Sequence, residues 1–228
     1  MRFFHKPTPN EFVFGFLYFL LQLLVIPGII VAVSYMTAAP MSEAVLNFIC
    51  FAINFVAVLV IFWKYLRSNI DPIRAYPWYV LRWAGIGFVL YMVGSTLFGW
   101  IVPLVDPEFA NVNDAAIMEM VQGHFGLMTV GTVVLVPLAE ECFYRGLIFR
   151  GLYDKSPVCA YIVSMAIFSL AHVLGYVGQF SFTTLLLCFI QYLPAGFALA
   201  FAYRKSGSIF ASVLIHMTVN QTGMLLMR

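Results

Sequence analysis

The sequence predicts an all-α protein, a polytopic transmembrane bundle of about seven spanning helices with an N-in, C-out topology. Three observations predict it: the share of apolar residues, the length of the apolar runs, and the distribution of Lys and Arg. Of the 228 residues, 63% are hydrophobic and only 10% are charged. Soluble domains have about 45–50% apolar and about 25% charged residues. Much of the apolar surface must therefore face lipid.

Seven apolar runs reach the length that a helix needs to cross the hydrocarbon core. Helices are expected because lipid offers no partners to open backbone groups, and the runs are too long for barrel strands. Only Gly178 and Gln179 separate the fifth run from the sixth, so we expect a tight helical hairpin there. The runs cover residues 12–36, 44–63, 79–105, 125–149, 158–177, 180–203 and 208–227.

The basic residues give the expected orientation through the positive-inside rule. With a cytoplasmic N-terminus, all of them except Arg228 lie at the N-terminus or in the second, fourth and sixth connections. The connection 106–124 has four acids and no Lys or Arg, and we expect it to be a surface loop or a short interfacial helix. The basic residues on the cytoplasmic side are Arg2, Lys6, Lys64, Arg67, Arg74, Arg82, Arg145, Arg150, Lys155, Arg204 and Lys205.

The sequence predicts one membrane domain over residues 1–228, since no linker or internal repeat divides the chain. A net charge of +2 does not indicate nucleic-acid binding. The four cysteines lie in apolar runs without a metal-ligand spacing, so we interpret them as small buried hydrophobic residues rather than a disulfide framework. They are Cys50, Cys142, Cys159 and Cys188.

Two adjacent acids, Glu140 and Glu141, lie deep in the fourth run. A charged residue inside a spanning helix costs about 2.5–3.5 kcal/mol on insertion scales, which makes such residues candidates for function. Arg145 is four residues after Glu141 and therefore on the same helix face, where the two can form a structural ion pair. Glu140 points away from Arg145, so we expect it to keep a free carboxylate facing a cavity. Pro137 can bend the helix and make room for water.

Two later runs contribute histidines with partners at helical spacing. Phe168 and His172 are four residues apart in the fifth run, and His216 and Asn220 are four apart in the seventh. Each pair alone is also explained by hydrogen bonding between helices. Taken together with Glu140, they predict a shared site inside the membrane.

The chemistry of one carboxylate, two imidazoles and a carboxamide suits amide hydrolysis by either of two routes. A carboxylate can deprotonate water, while imidazoles and an amide stabilise the oxyanion or protonate the leaving amine. Alternatively, Glu140, His172 and His216 are the ligand types of a catalytic zinc site, with the second carboxylate as base. The cofactor is then Zn²⁺ in the second route and none in the first.

The rise of an α-helix allows Glu140 and His172 to meet near the middle of the membrane, but His216 fits this less well. At about 1.5 Å per residue, Glu140 lies about 20 Å and His172 about 21 Å from the cytoplasmic ends of their helices. His216 lies only about 12 Å from Ser208. The seventh helix must therefore start earlier, tilt or be displaced.

Three motifs resemble those of the CPBP family of CAAX proteases and bacteriocin-processing enzymes, also called the Abi family. They are E-E-C-F-Y-R-G with Glu140, Glu141 and Arg145, F-S-L-A-H with Phe168 and His172, and H-M-T-V-N from His216 to Asn220. The family patterns E-E-x-x-x-R, F-x-x-x-H and H-x-x-x-N match in order and without substitution. The resemblance covers residues 125–228, which we expect to form the catalytic core.

The resemblance implies an intramembrane endopeptidase. It implies that Glu140 activates water, and that His172, His216 and Asn220 stabilise the oxyanion or bind metal. Glu141, Arg145 and Phe168 would support the site.

The expected partners are membrane lipids and a peptide substrate. By analogy, the substrate is a membrane-anchored or lipidated protein or a small secreted peptide, and the setting is a bacterial or archaeal cell membrane. Two alternatives stay open. One is a non-catalytic immunity or scaffold protein of the same fold. The other is a small transporter, although the sequence has neither the repeat symmetry nor the interrupted helices typical of transporters.

Overall fold

A computed structural model describes residues 4–37 and 39–228, and in these ranges the chain is helical without a β-strand. Arg2, one of the residues used for the orientation, lies outside the described residues. The α-helices are α1 (Pro9–Leu24), α2 (Ile26–Tyr35), α3 (Glu43–Ile61), α4 (Trp63–Ser68), α5 (Asp71–Ala75), α6 (Pro77–Val105), α7 (Val112–Thr129), α8 (Val136–Glu141), α9 (Arg150–Tyr153), α10 (Pro157–Ala171), α11 (Phe182–Ser206) and α12 (Ile209–Leu226).

One continuous helical element runs from Val112 to Tyr153 and contains α7, α8 and α9. Two π-helical segments, Val130–Leu135 and Cys142–Phe149, lie before and after α8. The backbone kinks at His124, where φ is −142° and ψ is 44°. In the connection 106–124 the chain is helical from Val112 onward, but as the start of this long element and not as a short separate helix, and an interfacial position stays a prediction.

The all-α membrane bundle is confirmed. Five described helical elements are long and apolar enough to cross a membrane, or six if α1 and α2 form one span. The remaining predicted run forms α10, which is apolar but has 15 residues and is short for a span of about 20. Seven spans and the N-in, C-out orientation stay predictions.

The first predicted run is not one straight helix, because α1 and α2 meet at an angle of 44°. Pro27 lies in the first turn of α2. Proline has no backbone N–H, and its ring clashes with the carbonyl four residues earlier, so a helix breaks or bends just before it. The break falls at Val25, which ends α1 and precedes α2, so the expectation that no apolar run is interrupted is wrong for the first run.

The interior of the bundle is built around α11, which packs against α6, α10 and α12. Its buried face carries small residues, among them Gly196, Ala198 and Ala202. Small residues let helix backbones approach closely, which is the usual way helices associate in membranes. Helices α10 and α11 pack against each other, but the tight turn predicted at Gly178 and Gln179 is wrong, because α10 ends at Ala171 and α11 begins only at Phe182. The connection contains a 3₁₀ turn, Leu174–Tyr176, and Gly178 at φ +86°, a conformation that favours glycine.

The cysteines are all free, as predicted, but they are not all buried. Cys142 and Cys188 are buried and Cys50 is half-buried. Cys159 is exposed, so the prediction of a buried side chain is wrong there. Cys159 lies in the first turn of α10, close to the end of the helix, where fewer neighbours cover the side chain.

Candidate active site

Glu140 and Glu141 form the last turn of α8, between the two π-helical segments. π-Helical turns are rare and occur frequently at functional sites, because they change which side chains share a helix face. The second segment carries Tyr144 and Arg145, both buried. The acids that the sequence singled out therefore lie at an irregular point of an otherwise regular element.

Glu141 and Arg145 form a fully buried ion pair, as the four-residue spacing predicted. Arg145 Nη1 lies 3.2 Å from Glu141 Oε1, and neither side chain is exposed. Arg145 Nη2 donates to the carbonyl of Gly196 in α11 at 3.3 Å. The guanidinium also lies over the ring of Phe168, 4.6 Å from its centroid. A buried cation needs this kind of enclosure to offset its lost hydration.

His216 lies between the two carboxylates. Its Nδ1 is 3.0 Å from Glu141 Oε1, and its Nε2 is 3.9 Å from Glu140 Oε2. Because a carboxylate accepts, Nδ1 carries the proton, and Nε2 is the nitrogen that faces Glu140. Glu141 thus fixes both the tautomer and the orientation of the ring. The sequence assigned Glu141 to Arg145 alone, and the structure gives it both partners.

The way in which α12 begins helps to explain how His216 reaches the two carboxylates. Ser208 and Ile209 are fully buried. Asn69, after α4, accepts from the Ile209 N–H at 2.9 Å, and its own carbonyl accepts from the Ser208 hydroxyl at 2.7 Å. The helix therefore begins inside the protein, at Ile209 and not earlier in the chain, and a tilt or displacement of this helix stays a prediction.

Glu140 has a different environment from Glu141. Its side chain is 25% exposed, and among the described residues its Oε2 has no hydrogen-bond partner. Arg145 forms its ion pair with Glu141 instead. Two described cavities, of about 850 and 480 Å³, are lined by other residues. A cavity at Glu140 stays a prediction, whereas the division between a paired and a free carboxylate agrees with the sequence analysis.

His172 caps the C-terminal end of α10, and its ring packs beside Phe168 at 4.6 Å between centroids. Its Nδ1 lies 2.8 Å from the Phe168 carbonyl oxygen, which fixes the proton on Nδ1 and leaves Nε2 free. The Phe168 ring also meets the ring of His216 at 6.0 Å and that of Tyr144 at 5.2 Å. Phe168 thus separates and orients the two imidazoles.

Asn220 binds the main chain of the element that carries the acids. Its Nδ2 donates to the carbonyl of Thr132 in the first π-helical segment at 2.7 Å. This bond joins α12 to the helix that leads to Glu140. Its position one turn after His216 agrees with the predicted shared face, and its amide has a second hydrogen that this bond does not use.

A zinc site does not fit the side chains as they stand. In the described parts of the chain, no three His, Cys, Asp or Glu side chains are grouped closely enough to hold one metal ion. Glu140 and His216 lie near each other, but His172 does not complete a ligand set with them.

Two contributors escaped the sequence analysis. Tyr192 of α11 stacks on the His172 ring with centroids 4.1 Å apart. Thr132 supplies the carbonyl that Asn220 binds. Gln191 next to Tyr192 was a signal, since consecutive polar side chains in an apolar run indicate contacts between helices. A backbone carbonyl leaves no sequence signal.

Comparison with known proteins supports the same part of the chain. Residues 122–222 match a family model described as Type II CAAX prenyl endopeptidase, Rce1-like. All seven residues named by the motifs lie within this match. No solved structure matches the chain.

Two curated bacterial proteins are similar to longer parts of the chain. The UPF0177 protein YxdF of Lactococcus lactis subsp. lactis (strain IL1403) is 24% identical over 174 residues, which cover 74% of this chain and 88% of that protein. The protein named "Putative membrane peptidase YdiL" of Bacillus subtilis (strain 168) is 28% identical over 142 residues, which cover 61% of this chain and 53% of that protein. The matches confirm the resemblance to the CPBP family and support an intramembrane protease at the family level.

Proposed function

We propose that this chain is an intramembrane endopeptidase in which Glu140 activates the attacking water. One observation carries the proposal. Beside a fully buried Glu141–Arg145 pair, Glu140 has a side chain that is 25% exposed and a buried Oε2 that has no hydrogen-bond partner among the described residues and lies 3.9 Å from His216 Nε2. Glu141 differs from it, because Glu141 Oε1 contacts both Arg145 Nη1 and His216 Nδ1, as expected of a buried carboxylate held for structure.

In the hydrolytic step, Glu140 takes a proton from a water molecule as the water oxygen attacks the carbonyl carbon of the scissile bond. The carbonyl π electrons move to the oxygen and form a tetrahedral oxyanion. As that intermediate collapses, the C–N bond breaks, and the proton passes from Glu140 to the leaving amine nitrogen. General acid–base catalysis of this kind contributes about 10²–10⁴-fold to the rate.

The two histidines act on the oxyanion. Each ring has its Nδ1 proton committed, to Glu141 for His216 and to the Phe168 carbonyl for His172. Each therefore uses Nε2 in the reaction, and each donates from Nε2 to the oxyanion as an imidazolium that has taken its second proton from solvent before the attack and keeps it when the oxyanion collapses. Glu141 stabilises the imidazolium of His216, as a carboxylate does behind a catalytic histidine. The second amide hydrogen of Asn220 is a further donor for the oxyanion.

The substrate that we propose is a membrane-associated or lipidated protein or peptide. The family model is described by a prenyl endopeptidase activity, and a site on membrane-embedded helices meets substrates that are held in the same bilayer. Lipids and such a peptide are the partners expected for an integral protein of a bacterial or archaeal membrane.

The test uses the purified chain in lipid nanodiscs with two quenched fluorescent peptides. One peptide ends in a farnesylated Cys-aliphatic-aliphatic-X sequence, and the other is the same peptide without the lipid. Glu140→Gln keeps the size and hydrogen bonding of the side chain but removes the base, so we expect turnover to fall by about 10²–10⁴-fold. Glu119→Gln is the matched control, because Glu119 is exposed on α7 and outside the site.

Several results would contradict the proposal. A Glu140→Gln variant that cleaves as fast as the wild type would remove Glu140 from the mechanism. The scaffold alternative would be favoured if the folded wild type cleaves neither peptide and the Glu140→Gln variant is as stable as the wild type. A loss of ion or solute flux in the Glu140→Gln variant, in place of a loss of cleavage, would favour the transporter.

A further inference from the structure

A second polar network lies directly behind His172. Tyr192, in the middle of α11, stacks on the His172 ring with centroids 4.1 Å apart and planes 27° apart. Its hydroxyl donates to Asp114 Oδ1 at 3.1 Å and accepts from Asn113 Nδ2 at 3.0 Å. The ring that contacts the histidine is therefore held at its far end by the first turn of α7.

The first turn of α7 is itself fixed in place. Asn111 caps the helix, with its Oδ1 accepting from the N–H groups of Asn113 and Asp114 at 2.9 and 3.1 Å. Its Nδ2 donates to Gln191 Oε1 at 2.6 Å. Two neighbouring residues of α11, Gln191 and Tyr192, are thus bound to one turn of α7. Because one side chain, Asn111, both caps α7 and binds Gln191, the start of α7 is tied to α11.

His172 depends on outside contacts because it follows the last residue of α10. The contacts made by its own helix come from Phe168, through the carbonyl at 2.8 Å and the ring at 4.6 Å. The carbonyl holds the Nδ1 atom of His172, and the Phe168 ring contacts the imidazole from one side. The imidazole can still tilt about the hydrogen bond to the carbonyl. Tyr192 covers the face of the ring, and it is a neighbour from another helix with its own hydrogen-bonded anchor.

We propose that Tyr192 is a positioning residue for His172, and that Asp114 and Asn113 hold the Tyr192 ring in place. The proposal rests on the catalytic role given to His172 above. It extends the site from α8, α10 and α12 to α11 and the start of α7. A small misplacement of a catalytic group can cost about 10²-fold in rate, so a ring that only supports His172 still affects turnover.

The first experiment separates positioning from substrate binding. Tyr192→Leu removes the stacked ring, and we expect kcat to fall by about 10–10²-fold with KM little changed. Tyr192→Phe keeps the stacked ring and loses the anchor, so it should recover most of that loss. Tyr161→Leu is the control, because Tyr161 packs in the aromatic cluster around Phe149, away from the site, and should keep wild-type kcat.

The second experiment observes the His172 ring nitrogens directly by NMR and needs no substrate. In ¹⁵N-histidine-labelled protein, the His172 nitrogen signals are assigned by their loss in His172→Gln. We expect Tyr192→Leu to shift or broaden them, Tyr192→Phe to change them less, and Tyr161→Leu to leave them unchanged. Asp114→Asn, which weakens the anchor without touching the ring, should give an intermediate change and keeps the test open if Tyr192→Leu does not fold.

The outcomes distinguish this inference from the proposed function. If Glu140→Gln is inactive but Tyr192→Leu matches Tyr161→Leu in kcat and leaves the His172 signals in place, the positioning role is wrong and the protease proposal stands. If Glu140→Gln cleaves normally, the protease mechanism fails whatever Tyr192 does. A loss that appears in KM alone would also overturn the positioning role, because it would mean that Tyr192 contacts substrate.

Discussion

The buried ion pair between Glu141 and Arg145 gives the sharpest prediction for stability. The perturbation is Arg145→Met, which keeps a long side chain against Phe168 and removes the charge. At the observed 3.2 Å, the attraction between two unit charges is about 5 kcal/mol at an effective dielectric constant of 20. Removing one partner of a buried pair leaves an uncompensated charge, and this typically costs about 3–5 kcal/mol.

The structure places the expected value toward the lower part of that range. Glu141 keeps one partner after the change, the Nδ1–H of His216 at 3.0 Å. A hydrogen bond to a charged group contributes about 1.5–3 kcal/mol. We therefore expect a loss of about 3 kcal/mol in the free energy of unfolding. For a chain of this size, that corresponds to about 6–12 °C in Tm.

The assay is a double-mutant cycle with thermal unfolding in detergent. The variants are Arg145→Met, Glu141→Gln and the pair of changes together. Because the double variant leaves no stranded charge, we expect it to be more stable than the sum of the two single losses predicts, by about 0.5–3 kcal/mol. Arg67→Met is the control, since Arg67 is exposed and its loss should change stability by less than about 0.5 kcal/mol. Equal stability of Arg145→Met and Arg67→Met would refute the reasoning.

Three further predictions concern packing, pH and metal. Gly87→Ala should destabilise the bundle, because an added Cβ would lie 2.9 Å from Ala202 Cβ and 3.2 Å from the Ala198 carbonyl oxygen, which cannot move without the backbone of α11. Gly85→Ala on the same helix meets nothing within 4 Å and should be neutral or slightly stabilising, and thermal unfolding of both variants tests this. The hydrogen bond from Lys6 holds the pKa of Asp154 below its usual 3.8, so the bond stabilises the fold above pH 3.8 and this stabilisation is lost as pH falls through the lowered value. Lys6→Met should therefore unfold more easily than the wild type near neutral pH and equally easily in stronger acid, and a difference that grows in acid would contradict this. A chelator should leave peptide cleavage unchanged, and a loss restored by Zn²⁺ would contradict the glutamate mechanism.

Local patterns predicted much of the site, because spacing along a helix is a local property. The spacing of Glu141 and Arg145 gave the ion pair, and the spacing of His216 and Asn220 placed both on one face of α12. Because Glu140 and Glu141 are adjacent, they point in different directions from the helix, and this predicted that only Glu141 pairs with Arg145. In each case the two residues lie on one helix, so their relative positions follow from helix geometry.

Contacts between helices were harder to predict. The bond between His216 and Glu141 depends on where the start of α12 is held, and Asn69 binds that start from a distant part of the chain. The stacking of Tyr192 on His172 depends on the packing of α10 against α11. The break at Val25, in contrast, had a local cause in Pro27, and the pattern of apolar residues concealed it.

The sequence by itself determined that the chain is a helical membrane protein with acids and histidines inside the apolar runs. It determined this because composition and periodicity record how much surface must avoid water, and an ionisable group in lipid stands out at once. The tertiary structure decided which groups are partners. It placed His216 between the two carboxylates, turned Asn220 to the Thr132 carbonyl and set Tyr192 behind His172. These contacts arise from the displacement and crossing of whole helices, which depend on packing throughout the bundle rather than on any single stretch of residues.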